Sequence, residues 1–130
     1  MKHPSKVLLV FAGLFGVIGA VMGAHMAGSG SHAFRPVHTH VLVVGWLTLF
    51  SWAVFYKVFS IKNSLLTRIH VWVSIIGTTG LTAGMYLHMV SQVELPDAVT
   101  LIIYIGGGVA VLVSFILFFV QTLIYRPEKD

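Results

Sequence analysis

Two histidines flank one threonine in His38-Thr39-His40, inside a stretch from 36 to 56 that holds no Asp, Glu, Lys or Arg. Imidazole is a ligand for haem iron and for copper. An ionisable side chain within a membrane-length apolar run is costly there and by default marks function. On a helix, residues two apart point ~200° away from each other. His38 and His40 therefore cannot reach one metal from the same side, and each faces a different neighbour. The competing reading places both at headgroup level, hydrogen-bonded to water. Five of the seven histidines (His25, His32, His38, His40 and His88) fall toward the same side of the chain's threading.

A second constellation pairs histidine with thioether. Met22 and Met26 flank His25, Met85 and Met89 flank His88, and Met1 is the only other methionine. Imidazole with thioether suits copper(I), whereas methionine in a helix also serves plain packing. His70 and His88 are 18 residues apart, close to five turns, so they share a face. Ser74, Gly77, Leu81 and Gly84 lie along it, a pattern that favours close helix approach. His70 neighbours Arg68 and Trp72 and reads as an inner-interface residue, with ligation of a second cofactor as its alternative. His32 reads as a solvated loop residue, and nothing is read into His3. Trp46, Phe50, Trp52 and Tyr56 run along the His38–His40 segment and suit either packing or the flanks of a flat ring. The chain has no cysteine, which excludes disulfides and thiolate ligands. The charge-free runs hold no carboxylate to relay protons, and no nucleophile–base set or phosphate-binding loop appears.

The elements that must position these residues are apolar helices. Four stretches, 7–34, 36–56, 69–93 and 98–125, lack charged residues, in a chain of 130 residues that is 57% hydrophobic and 9% charged with a mean hydropathy of +0.93. A membrane span needs ~20 apolar residues, so each is long enough. The expectation is an all-α, integral membrane four-helix bundle forming a single domain over 1–130, with helices at about 7–27, 37–58, 67–90 and 98–125. Pro36 suits a helix start, where its missing N–H costs nothing. Short connections imply antiparallel neighbours. Gly16, Gly19, Ala20 and Gly23 give the first helix a small-residue face for close contact. The basic start and small-residue tail of that helix resemble a signal peptide, but its apolar run is long for one, and it is read as retained.

Lys2, Lys6, Lys57, Lys62, Arg68, Arg126 and Lys129 fall on one side of an alternating thread, and Arg35 falls on the other with Glu94 and Asp97. The bias of basic residues puts both termini in the cytoplasm, and the expected location is the inner membrane of a prokaryote. The net charge of +4 then reports orientation and not nucleic-acid binding.

The segment Phe34-Arg35-Pro36-Val37-His38-Thr39-His40, followed by Gly45 and by Phe55-Tyr56, resembles the second membrane helix of the cbb3-type branch of haem-copper oxidase catalytic subunits. The resemblance covers about residues 33 to 60. It implies that His38 is an axial ligand of a low-spin haem b near the outer surface. That family also has a His-x-His pair whose members serve two haems, and His38-Thr39-His40 resembles that pattern too. The family's catalytic subunit has about twelve helices in three arcs of four, with a copper site for which this chain shows no His-His pair. The resemblance therefore implies one four-helix repeat rather than a self-sufficient oxidase, and a homotrimer that rebuilds the ring with haem between protomers. Electron transfer with quinol or a periplasmic redox partner is the function expected. The alternatives are a membrane copper-binding protein using His25, His88, Met22 and Met26, and an accessory subunit without cofactor.

Overall fold

The computed structural model describes residues 3–91, 93 and 95–126. Lys2, Glu94 and Lys129, which enter the charge argument above, lie outside them. The described chain forms four long helices: α1 (Pro4–Ser29), α2 (Arg35–Val58), α3 (Leu65–Met89) and α4 (Asp97–Ile124). Three of these, α1, α2 and α4, are long and apolar enough to cross a membrane. The fourth, α3, matches them in length, but its buried residues include Thr67, His70, Ser74, Thr78 and Thr82. It is the central helix, and its polar groups face protein rather than lipid.

Local chemistry sets the helix ends. Pro4 opens α1, where no N–H is needed, and Gly30 at φ +65° closes it in the left-handed region that glycine adopts freely. Pro36 stands in the first turn of α2. Ser64 caps α3, its Oγ accepting the Thr67 N–H at 3.2 Å. Asp97 lies in the first turn of α4, where a carboxylate complements the helix dipole.

The helices pack as two hairpins, α1 on α2 and α3 on α4, with α3 joining the pairs. Glycines allow the close approach within each hairpin. A Cβ at Gly77 would sit 2.8 Å from the Val111 backbone nitrogen, and one at Gly107 would collide with the Gly80–Leu81 backbone. On α1, Gly16 lies under Trp46, Gly19 under Leu42 and Gly23 under His38. This glycine face is therefore occupied by α2 of the same chain and is not free to hold a second protomer. Leu9, Val17 and Val21 on α1, and Ile102, Leu112 and Phe119 on α4, stay exposed, as lipid-facing helices require.

The expected α-helix over 37–58 is not uniform. Residues Val41–Thr48 form a π-helical segment inside α2, and the Thr48 hydroxyl donates to the Val43 carbonyl five residues back. The wider turn has a packing consequence. Val37, Val41, Gly45 and Leu49 are all buried, at a constant spacing of four. In a regular α-helix that spacing drifts ~40° per step, ~120° over the run. The π-turns keep the four residues in one stripe, with Gly45 seated against the Phe15 ring.

Candidate functional site

His38 and His40 lie in the first turns of α2, directly before the π-helical segment. Such segments are rare and recur at functional sites. The two side chains have different surroundings. His38 is half-buried, and its ring lies against α1, with Cε1 3.2 Å from where a Cβ on Gly23 would stand. Its Nδ1 is buried and has no hydrogen-bond partner. His40 is also half-buried, and its Nδ1 is 2.8 Å from the Pro36 carbonyl oxygen. A carbonyl only accepts, so Nδ1 carries the proton and donates it, leaving the Nε2 lone pair free. Metal-bound histidines are typically oriented in this way.

His25 and His88 meet other partners. His25 is exposed and its ring meets Phe34 edge-on at 5.4 Å, and Phe34 in turn stacks on Tyr86 at 6.0 Å. His88 approaches α4, with Nδ1 3.2 Å from the Thr100 hydroxyl and its ring stacked on Tyr104 at 6.3 Å. Of the methionines beside them, Met85 is buried in the core and Met22 packs against it, while Met26 is half-buried and Met89 is exposed. Among the described residues no group of three or more His, Cys, Asp or Glu is arranged to hold a metal ion.

His70, read as an inner-interface residue, lies inside the bundle. It is fully buried, because α3 is enclosed by α2 and α4 at this level. Its Nδ1 is 2.6 Å from the Tyr56 hydroxyl, which donates to Gln121 Oε1 at 3.0 Å. A phenol has one proton to give. If it goes to Gln121, the imidazole must donate from Nδ1, and the unpartnered atom is then Nε2 as an acceptor. The opposite tautomer would bury an orphaned N–H, the rarer and costlier state. Trp52 meets the His70 ring at 4.6 Å and Phe118 lies at 6.1 Å, so aromatic side chains fill the space that a second flat cofactor at His70 would need. Thr67 completes the network, 3.4 Å from Gln121 Oε1 and donating to the Lys62 carbonyl at 2.9 Å.

Sequence reasoning missed this network. Its members come from α2, α3 and α4, 14 and 65 residues apart. The one available signal was Gln121 near the end of an otherwise apolar run. Along α2, Trp52 and Tyr56 belong to the core, whereas Trp46 and Phe50 are 45% and 41% exposed and are the aromatic residues of this helix open to a neighbour. Comparison with protein-family models, curated proteins and solved structures finds no match to the chain.

Proposed function

We propose that this chain is a small membrane haem b protein that transfers electrons, resembling one repeat of a haem-copper oxidase catalytic subunit. In this reading all four helices span the membrane, with both termini in the cytoplasm and His38 and His40 near the outer surface. The observation that carries it is the state of the two imidazoles. His40 has Nδ1–H committed to the Pro36 carbonyl and Nε2 free, and His38 has a buried Nδ1 with no partner. The Nε2 of His40 is a donor that an iron could use, and the unmet Nδ1 of His38 is a cost that turning its ring from α1 onto an iron would remove.

Bis-imidazole haem b supplies a low-spin, one-electron centre. The chain's contribution is to bind and orient. The Pro36 carbonyl fixes the ring plane and tautomer of His40. Gly23 leaves room for the His38 ring against α1. The exposed Trp46 and Phe50 offer apolar surface from which water is excluded when a neighbour covers them.

The ~200° divergence of the two residues favours ligation across protomers. His38 of one copy and His40 of the next would meet at a heterologous interface, which closes into a ring. The three-arc architecture of the resembled family makes a homotrimer the expected assembly. Because the glycine face of α1 is occupied within the chain, the α2 face bearing Trp46 and Phe50 and the exposed side of α4 are the surfaces left for it.

The test is an optical spectrum of purified protein with the His38→Ala and His40→Ala variants. Sharp reduced b-type bands that each variant loses, together with a trimer by native mass spectrometry, are the expected result. A wild-type haem spectrum in both variants overturns the ligand assignment. A stable monomer with full haem content overturns the cross-protomer site.

A further inference from the structure

The basic end of the bundle holds a cavity of about 540 Å³ between the C-terminal ends of α2 and α4 and the start of α3. Its polar lining includes Lys62, Arg126, Ser64, Thr67 and Gln121, and it includes no Asp or Glu among the described residues. Its remaining wall is apolar, with Val58, Ile61, Leu66 and Ile124. Two cations thus share one cavity with hydrocarbon. Thr67 and Gln121 are themselves buried, at 0% and 3% exposure, and pinned by the Tyr56 network. The polar floor is therefore built into the core rather than being a chance surface hollow. The cavity also meets the start of α3, where Ser64 Oγ takes the Thr67 N–H. A helix start leaves its first N–H groups without intrahelical partners, and Leu66, in the first turn of α3, lines the cavity.

We propose that this cavity binds the phosphate headgroup of an anionic membrane lipid, with Lys62 and Arg126 holding the phosphate and the first acyl carbons lying on the apolar wall. The charge fits an anion, and basic pockets between membrane helices bind such headgroups. The apolar wall fits an amphiphile and would be left uncovered by free phosphate. Lys62 and Arg126 are exposed residues, so neutralising them leaves the fold intact. The proposal is independent of haem binding, and its readout contains no haem signal.

The experiment is native mass spectrometry of the purified full chain released from mixed micelles of phosphatidylglycerol and phosphatidylcholine at equal concentration. Each basic group near an anionic headgroup contributes on the order of fivefold in binding, so the pair should give about 30-fold preference for phosphatidylglycerol. The double variant Lys62→Gln/Arg126→Gln should bring the two lipids to parity. Lys57→Gln, an exposed neutralisation at the same end but outside the cavity, should keep the preference. Equal retention of both lipids by the unaltered chain overturns the proposal. An equal loss in Lys57→Gln overturns it in favour of diffuse surface charge. Displacement of the lipid by millimolar inorganic phosphate overturns it in favour of a free-anion site.

Discussion

The Tyr56 hydroxyl and His70 Nδ1 stand 2.6 Å apart in the bundle interior, joining α2 to α3 with Gln121 of α4 as the third member. The pair lies toward the opposite end of α2 from His38 and His40. The chain thus holds imidazoles in two settings: one fully buried inside the bundle, the other half-buried at the start of α2.

Tyr56→Phe removes the hydrogen bond to His70 Nδ1 and leaves the Gln121 amide oxygen underused. Hydrogen bonds between membrane helices average ~0.6 kcal/mol and reach ~1.7 kcal/mol. Because the bond is short and fully buried, the loss should fall in the upper half of that range, read by unfolding in mixed micelles. Combining it with Gln121→Leu in a double-mutant cycle should give a coupling of at least ~0.5 kcal/mol. Strict additivity would show that the three groups do not act as one network.

His70→Ala should lower stability and leave any haem spectrum unchanged, since Trp52 and Phe118 fill the space around the ring. His38→Ala and His40→Ala should do the reverse. His25→Ala and His88→Ala should leave the haem bands in place. If the protein carries stoichiometric copper and no haem, and these last two variants lose the copper, the copper reading replaces the haem reading.

Adjacent glycines on α4 should behave in opposite ways. A Cβ at Gly107 meets the Gly80–Leu81 backbone, which cannot yield, while a Cβ at Gly106 meets nothing within 4 Å. Gly107→Ala should destabilise by about 1–3 kcal/mol through overpacking. Gly106→Ala should be neutral or stabilising by up to ~1 kcal/mol, the helix preference of alanine over glycine. Equal effects at both sites would contradict the α3–α4 packing.

A reporter fused after Asp130 should be active only as a cytoplasmic marker, because seven basic residues fall at that end of the thread. Activity of a periplasmic marker at that junction would invert the membrane and place His38 and His40 on the inner side.

Helix number and approximate ends were legible in the sequence because charge-free runs and Pro36 act locally. The role of the glycines was legible only in kind. A small residue signals close approach but not its partner, and only the structure shows that the α1 face read as suited to close contact is filled by Trp46, Leu42 and His38 of the same chain. The π-helical segment was not legible. Its signature, burial at a constant spacing of four from Val37 to Leu49, is a property of packing and not of residue type.

By itself the sequence determined a helical chain with four charge-free runs, of which three form helices apolar enough for a membrane, and a His-x-His pair at the start of one helix, since hydropathy and spacing need no partner to act. The tertiary structure alone decided which imidazoles are spent. His70 is fully buried, with Nδ1 on Tyr56 and Nε2 enclosed, whereas His40 and His88 are each bonded through Nδ1 alone, to Pro36 and Thr100, and His38 has a buried Nδ1 without a partner. A hydrogen bond between residues 65 apart in sequence depends on how helices rotate against one another, and that rotation is set by the summed packing of every face.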